Sequence, residues 1–224
     1  MSDVQSALDS LHQSRLSTHA LITGTAYLRA ADPALARTID AAGPCTLTPE
    51  GDYFRALVDA IIGQQISVKA AAAILTRVLA LCAPDPVLTP AHLAALDEEA
   101  LRAVGCSRAK ARYLKDLSAR IVAGQLDLAR LQGLPDEEII AQLVAVRGIG
   151  RWTAEMFLIF SLGRPDVWPV DDLGVVIAAQ EVWALPARPK RKELLALGEP
   201  LRPYRTLAAW YLWQSRRLIL GMPW

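Results

Sequence analysis

Apolar residues recur every three or four positions along most of this chain. One such set follows residue 50 and consists of Phe54, Leu57, Val58, Ile61 and Ile62. This spacing is typical of an amphipathic helix that buries one face. No segment shows the strict alternation of apolar and polar residues that predicts a strand, so the pattern predicts an all-α fold.

Residues that favour helix starts precede several of these apolar runs. Ser67, Asp97 and Ser107 each stand just before a run at helical spacing, and Pro33 follows Asp32. Short polar side chains can accept a hydrogen bond from a backbone N–H of the first helical turn, and proline is tolerated in that turn. We therefore expect helices that begin near these positions, with a break in the helical pattern just before Ser67.

Segment 143–172 has the most distinctive pattern in the chain. A helical run ends near Val146, Gly148 and Gly150 follow, and a second apolar-rich helical run extends over residues 152–162. This pattern predicts two helices joined by a tight turn. Glycine at alternate positions lets the backbone adopt φ > 0 and approach a ligand closely, and the second helix starts with N–H groups that lack a partner within the helix. Such a turn can hold a phosphate.

The same segment resembles a known enzyme family. The spacing of GIGRWTAEMFL followed by DVWPVDDLGV is similar to that of the helix-hairpin-helix DNA glycosylases, and within them to the 3-methyladenine DNA glycosylase II branch. Gly148, Ile149 and Gly150 match the hairpin of that family, and Asp172, 20 residues after Trp152, matches its catalytic aspartate. A glycine pair alone usually marks an ordinary turn, whereas the pair with an aspartate at this distance is a specific signal.

The resemblance implies two helical lobes with the active-site cleft between them, and it covers roughly residues 43–217. We expect residues 1–50 to form N-terminal helices that complete one lobe. Residues 51–224 are expected to form the catalytic core, with the hairpin and the catalytic segment at 135–172. Because only about fifty residues precede the first family-like helix, we expect no N-terminal β-domain of the kind that relatives often carry.

The implied reaction breaks the bond between base and sugar after the nucleotide has been flipped out of the duplex. Positive charge develops on the sugar, and the carboxylate of Asp172 can stabilise that charge or can orient or deprotonate the attacking water. The resemblance places the helix cap or another structural role on the neighbouring Asp171. Trp152 stands where bifunctional relatives have a lysine that attacks the sugar, so the resemblance implies a monofunctional enzyme that leaves an abasic site.

Aromatic and polarizable side chains are expected to form the base pocket. The resemblance places Trp152, Met156 and Trp213 there, where they would attract a base made cationic by alkylation through cation–π contacts of about 0.5–2 kcal/mol. The implied substrates are alkylated purines of the 3-methyladenine and 7-methylguanine type in double-stranded DNA. Family members often have tyrosine where this chain has Met156, so the sequence leaves the range of substrates open.

Further residues are expected to contact DNA or to support the site. Besides the hairpin, the expected DNA contacts are Arg151, Thr153 and Lys110, the last of which lies in a second hairpin-like step, GCSRAKA. That step resembles one that is mainly architectural in the family. Gln64 and Gln65 can face the cleft, but a structural role in binding backbone groups at the helix break is favoured.

The loop that contains Pro84, Pro86 and Pro90 cannot continue as a helix, because proline lacks the backbone N–H and restricts the residue before it. In the family, the loop at this place carries the wedge residue that fills the gap left by the flipped base. These prolines, Val87 or Leu88 could fill that role. A plain connector is equally consistent with the sequence.

Charge is distributed unevenly along the chain. The total is only +1, which by itself argues against a generic nucleic-acid binder. Residues 1–100 contain 6 basic and 11 acidic side chains, whereas residues 101–224 contain 18 and 12, so the two segments carry −5 and +6. The basic segment contains the hairpin and a cluster that is compatible with phosphate contacts or with a solvated loop. The cluster consists of Arg188, Lys190, Arg191, Lys192, Arg202 and Arg205.

No divalent metal or redox cofactor is expected. Cys45, Cys82 and Cys106 are far apart and fit no metal-binding spacing, and the three histidines are equally dispersed. The four clustered cysteines of iron–sulfur relatives are absent from this sequence. The resemblance adds one candidate ligand, a monovalent cation bound to carbonyl groups of the hairpin.

The start of the chain and its longest apolar runs bear on localisation. The first ten residues are polar and acidic, and no apolar run approaches the ~18 residues that a membrane span needs. We therefore expect a cytoplasmic protein with no membrane partner, and we also expect a monomer.

Two other functions stay open: a non-catalytic helix-hairpin-helix module that binds the duplex backbone, and a helical scaffold with no nucleic-acid role. The aspartate at its set distance from the hairpin favours the glycosylase.

Overall fold

A computed structural model describes residues 15–82 and 87–221 of this protein. The described residues form α-helices with short 3₁₀ and π-helical turns and contain no strand, so the all-α prediction is confirmed. None of the described helices is long and apolar enough to cross a membrane. The α-helices are α1 (Thr18–Ala31), α2 (Pro33–Ala42), α3 (Tyr53–Gly63), α4 (Val68–Ala80), α5 (Pro90–Ala95), α6 (Glu98–Ala103), α7 (Arg108–Val122), α8 (Asp136–Val144), α9 (Arg151–Phe157), α10 (Leu173–Val182), α11 (Arg191–Gly198) and α12 (Arg205–Leu220).

The chain divides into two compact units. The terminal unit consists of Met1–Pro49 and Leu158–Trp224, and the central unit consists of Glu50–Phe157. Residues 51–224, which we expected to form the catalytic core, contribute to both units, and the boundary between the units follows Phe157. Apolar composition continues without interruption across that boundary, so the sequence carries no local mark of it.

Within the central unit, α7 packs against α3, α5 and α6, and α9 packs against α8 and α3. Leu57, Val58 and Ile61 of α3 are fully buried, together with Leu114 and Leu117 of α7. This burial accounts for the helical periodicity of the apolar residues, because one face of each helix contributes to the same core.

The predicted helix starts in the central unit are confirmed. The side chains of Ser67, Asp97 and Ser107 are N-caps that accept hydrogen bonds from the backbone N–H three residues later. The chain between Gly63 and Ser67 is not helical, and Gln65 there has a φ of 60°. The break predicted between α3 and α4 is therefore present.

Within the terminal unit, α12 packs against α2 and α10, and α1 packs against α2. Tyr211 of α12 is fully buried, and its hydroxyl donates to the carbonyl of Gly43 at 3.3 Å. Asp32 caps α2 with Pro33 in the first turn, as predicted. These contacts fix the C-terminal helix against the N-terminal helices, which are far from it in sequence.

A buried ion pair anchors the segment that leads to Asp172. Arg205, at the start of α12, donates from Nε to Oδ1 of Asp166 at 2.7 Å, and both side chains are nearly inaccessible. Thr206 donates to the carbonyl of Arg164 at 2.6 Å and accepts from the N–H of Val167 at 2.9 Å. The chain before Asp172 is therefore held to the same helix that carries Trp213.

Residues 152–162, predicted to form a single helical run, form two different structures. Helix α9 ends at Phe157, and a π-helical turn follows over Leu158–Leu162. The wider turn inserts an extra residue into the helical repeat, and the sequence pattern does not reveal it because apolar residues continue through it. Such turns occur frequently at functional sites. Here the turn carries Phe160, whose side chain is 40% exposed.

Candidate functional site

The hairpin between α8 and α9 contains two glycines with different roles. Gly148 has a φ of 82°, and a Cβ atom on it would lie 2.1 Å from Cδ2 of Tyr113. Gly150 is exposed, does not have a positive φ, and has open space where a Cβ atom would be. The expectation that both glycines serve to reach φ > 0 is therefore wrong for Gly150. Its lack of a side chain instead leaves the backbone at the surface uncovered.

Three side chains from α7 and the α3–α4 break brace the hairpin. Gln64 donates from Nε2 to the carbonyl of Gly148 at 2.8 Å, and Oδ2 of Asp116 accepts from the N–H of Arg147 at 2.9 Å. Tyr113 packs against Gly148. Gln64 thus has a structural role, as predicted, but it binds the backbone of the hairpin and not backbone groups at the helix break. The roles of Tyr113 and Asp116 were missed, and their three-residue spacing on α7 is the only local signal.

The hairpin leaves backbone donors at its tip. The N–H of Ile149 donates to the carbonyl of Val146 at 3.1 Å, and the Ile149 side chain is buried. Among residues 15–82 and 87–221, the N–H groups of Gly148 and Gly150 donate no hydrogen bond. Because Ile149 anchors the turn, these two donors are held on a rigid backbone where an anionic oxygen can accept from them.

The side chains predicted to contact DNA are engaged within the central unit. Arg151 donates from Nη1 to Glu137 at 3.0 Å and from Nε to Glu155 at 3.0 Å, and the Arg151 hydrogen bond lowers the pKa of Glu137 below its usual value. Thr153 is buried. Lys110 donates from Nζ to the carbonyl of Ile62 at 2.8 Å, at the end of α3. Arg151 and Lys110 therefore have structural partners on or at the end of neighbouring helices.

Asp172 is the N-cap of α10 and is only 9% exposed. Its Oδ1 accepts from the N–H of Val175 at 2.8 Å and from Nε1 of Trp213 at 2.9 Å. Asp171 is exposed and forms an ion pair with Arg191. The prediction that Asp171 caps the helix is therefore wrong. The helix begins at Leu173, so the residue immediately before it, Asp172, occupies the capping position.

Two further residues lie beside Asp172 or Trp213 and were not predicted. A Cβ atom on Gly174 would lie 3.0 Å from Oδ1 of Asp172 and 3.2 Å from Cδ1 of Trp213. The ring of Phe160 stacks on that of Trp213, with centroids 5.6 Å apart and an interplanar angle of 26°. The Gly two residues after Asp172 was a visible signal, whereas the placement of Phe160 depends on the π-helical turn.

The predicted pocket residues fall into two groups. Trp213 lies with Asp172 in the terminal unit, as described above. Trp152 and Met156 lie four residues apart on α9, on one helix face in the central unit. Trp152 is 46% exposed and Met156 is half-buried. Each group presents an aromatic ring at the surface of its own unit.

The predicted wedge falls partly outside the described residues, which omit 83–86. Val87 is 53% exposed and Leu88 is half-buried. A different position shows backbone strain: Gln65, next to the hairpin brace Gln64, has a φ of 60° and is exposed. A non-glycine residue held in this region marks a constraint that is often functional.

Neither a metal cluster nor a reactive thiol is seen in the described part of the chain. Those residues contain no group of three or more His, Cys, Asp or Glu side chains that could hold a metal ion. Burial raises the pKa of the Cys45 thiol to about 11, so this group stays protonated at neutral pH. Cys82 and Cys106 are buried, and burial also raises the pKa of each thiol.

Comparison with known proteins places this geometry in a family. Residues 58–203 match the family described as "HhH-GPD superfamily base excision DNA repair protein". The chain is 32% identical over 196 residues to the alkylbase DNA glycosidase-like protein mag2 of Schizosaccharomyces pombe, covering 86% of this chain and 92% of that protein. It is 37% identical over 166 residues to DNA-3-methyladenine glycosylase 1 of the same yeast, covering 74% of this chain and 73% of that protein.

Solved structures show the same relationship. A DNA-3-methyladenine glycosidase from Bacillus halodurans superposes with a TM-score of 0.79 at 36% identity, covering 86% of this chain and 88% of that one. The Schizosaccharomyces pombe 3-methyladenine DNA glycosylase Mag1 in complex with abasic DNA superposes with a TM-score of 0.77 at 33% identity, covering 87% and 97%. The braced hairpin and the helix-capping Asp172 both lie in the matched region, and this chain belongs to the HhH-GPD superfamily of base excision DNA repair proteins.

Proposed function

We propose that this protein is a monofunctional DNA glycosylase that removes alkylated purines from double-stranded DNA and leaves an abasic site. Relatives named as 3-methyladenine DNA glycosylases support the substrate class. The observation that carries the proposal is the carboxylate of Asp172, held by two donors on Oδ1 and nearly buried.

The position of this carboxylate suits the chemistry of glycosidic bond cleavage. Positive charge develops on the sugar as the base leaves, and a negative group that is already oriented stabilises that charge without having to reorganise. Two hydrogen bonds to Oδ1 hold the Asp172 side chain in one rotamer, and the Trp213 indole is itself stacked on Phe160. Asp172 is therefore preorganised for electrostatic stabilisation, and it can also orient a water molecule.

Hydrolysis by water, rather than attack by an amine, follows from the residue at position 152. Tryptophan cannot form a Schiff base with the sugar. The aromatic ring of Trp213, which lies beside Asp172, instead offers a π-face that attracts a cationic base, with a contact worth about 0.5–2 kcal/mol. Alkylated purines such as 3-methyladenine and 7-methylguanine carry such a charge, and they are the substrates that we propose.

The hairpin is proposed to bind the DNA backbone through the N–H groups of Gly148 and Gly150. These contacts are independent of base sequence. The carbonyl of Gly148 accepts from Gln64 and retains a second lone pair, so hairpin carbonyls can also bind a monovalent cation. No divalent or redox cofactor is part of the proposal. One chain supplies both the hairpin and the carboxylate, so a monomer suffices.

The test is incubation with a duplex that has been methylated chemically, followed by chromatography of the released bases. We expect free methylated purines, strand breaks only after alkaline treatment of the abasic product, and no covalent complex after borohydride reduction. A protein that binds the duplex but releases no base would be a non-catalytic helix-hairpin-helix module. A protein that neither binds nor cleaves would be a scaffold.

A further inference from the structure

The six cations of the basic cluster between residues 188 and 205 have different surroundings in the terminal unit. Arg205 is buried with Asp166, and Arg202 donates from Nη1 to Oδ2 of Asp166 at 2.8 Å. Arg188 lines a cavity of about 620 Å³ whose wall also includes two carboxylates. The other three cations lie at the start of α11 and are absent from the wall of that cavity: Lys190, Arg191 and Lys192. The cluster is therefore divided between an ion-pair network, a cavity and a surface.

The start of α11 lies beside the segment that carries Asp172. The guanidinium of Arg191 forms an ion pair with Asp171, which is the neighbour of Asp172 in the chain. Lys190 and Lys192 flank Arg191, and successive Cα atoms are about 3.8 Å apart. The ion pair therefore fixes three positive side chains close to the Asp172 carboxylate, within the same unit.

These three cations are accessible to an anionic ligand. Lys190 and Lys192 are exposed, and neither forms an ion pair with a residue in the described part of the chain. Arg191 and Asp171 are each about half exposed, and Asp171 accepts from Nη1 only, so the guanidinium keeps N–H donors for a second anion. The other nearby carboxylate, Glu193, accepts from the backbone N–H of Lys190 at 2.7 Å and lines the cavity. Glu193 is about 200° around the helix from Arg191, so it faces away from this surface.

We propose that Lys190, Arg191 and Lys192 bind phosphates of the DNA strand that carries the damaged nucleotide. This inference rests on the proposed function, because it takes the sugar of that nucleotide to lie at Asp172. One strand carries a phosphate about every 3.4 Å of helix axis, so phosphates next to that nucleotide are within reach of long side chains anchored beside Asp171. Asp171 is then a positioning residue that orients Arg191 towards a phosphate. The hairpin belongs to the central unit, so this surface gives the terminal unit a backbone contact of its own.

The test is the salt dependence of affinity for a fluorescein-labelled undamaged duplex, measured by fluorescence anisotropy. Each phosphate contact contributes about −0.9 to the slope of log K against log salt concentration. The double variant Lys190→Gln/Lys192→Gln should bind more weakly, with a slope smaller in magnitude by about 2, and Arg191→Gln should reduce it by about 1. The matched control is Arg188→Gln, which removes a cation from the cavity and should keep both the affinity and the slope.

Asp171→Asn separates a phosphate contact from a purely structural role of Arg191. Both Asp171→Asn and Arg191→Gln break the ion pair, but only Arg191→Gln removes a cation, so Asp171→Asn should bind the duplex at least as tightly as the unchanged protein. Equal weakening in these two variants would overturn the proposal. It would also be overturned by an unchanged slope in the double variant at an unchanged melting temperature, or by an equal loss of slope in Arg188→Gln.

The binding measurement does not depend on catalysis, because the duplex is undamaged. If the expected slopes were found but no base were released from methylated duplex, the phosphate contacts would stand and the proposed glycosylase activity would be refuted.

Discussion

At the residue scale, Asp172 combines a structural role with the proposed chemical one. Its Oδ1 accepts both the capping hydrogen bond from Val175 and the bond from Trp213. An amide oxygen can accept the same two bonds, whereas only the carboxylate carries charge. The two roles can therefore be separated by an isosteric substitution.

Asp172→Asn is expected to abolish most base release without unfolding the protein. The amide keeps the cap and the Trp213 bond, since asparagine caps helices about as well as aspartate. Loss of the charge should remove about 4 kcal/mol of transition-state stabilisation, or roughly a thousandfold in rate. Single-turnover rates on methylated duplex and the melting temperature of the variant are the measurements.

The matched control is Asp171→Asn. This change removes an ion pair with Arg191 in which both side chains are about half exposed, and such pairs contribute at most about 1 kcal/mol. We expect normal base release and a nearly unchanged melting temperature. An inactive Asp171→Asn beside an active Asp172→Asn would place the catalytic carboxylate one residue earlier than we propose.

Gly174→Ala tests whether the geometry around Asp172 matters apart from its charge. The new Cβ would lie 3.0 Å from Oδ1 of Asp172 and 3.2 Å from Trp213, so one of the two must shift. Alanine also raises helix propensity by up to about 1 kcal/mol. We therefore expect base release to fall about tenfold while the melting temperature stays level or rises. Full activity in Gly174→Ala would show that the site tolerates the displacement.

At the element scale, the hairpin offers a comparison between its two glycines. Gly148→Ala would force a side chain onto a backbone with a φ of 82° and into the ring of Tyr113. We expect a loss of stability of about 1–3 kcal/mol, seen as a lower melting temperature, together with weaker DNA binding.

Gly150→Val is expected to behave differently, because open space surrounds the position. The melting temperature should change little. Affinity for damaged and undamaged duplexes should fall alike, since the backbone N–H that the valine covers would bind a phosphate and not a base. Affinities must be compared at one fixed salt concentration. An unchanged affinity in a folded Gly150→Val variant would remove this glycine from the DNA-binding surface.

At the scale of the whole molecule, catalysis is expected to need no divalent metal. The described residues hold no cluster of ligating side chains, and a carboxylate with water accounts for the proposed reaction. Base release should therefore be the same with and without EDTA. Activity that disappears with EDTA and returns with zinc or magnesium would contradict the expectation.

Local features of this protein could be predicted from its sequence, because they depend on neighbours in the chain. Caps at Ser67, Asp97 and Ser107 are of this kind. The assignment of the cap to Asp171 failed by one residue, since two adjacent aspartates are equally good caps. Which of them caps the helix depends on where α10 starts. The hydrogen bond that Trp213, 41 residues later, donates to Asp172 stabilises the arrangement in which Asp172 is the cap.

The tertiary structure decided which distant residues support the site. Gln64 and Gly148 are 84 residues apart, and the Phe160–Trp213 stack joins a π-helical turn to the last helix. The spacing of apolar residues does not predict such pairs, because it indicates only which face of a helix is buried. The sequence alone determined the all-α class and the hairpin turn, since these follow from spacing within short segments, and its resemblance to a known family singled out Asp172. The orientation of that aspartate, the bracing of the hairpin and the division at Phe157 follow from packing between segments, which only the fold brings together.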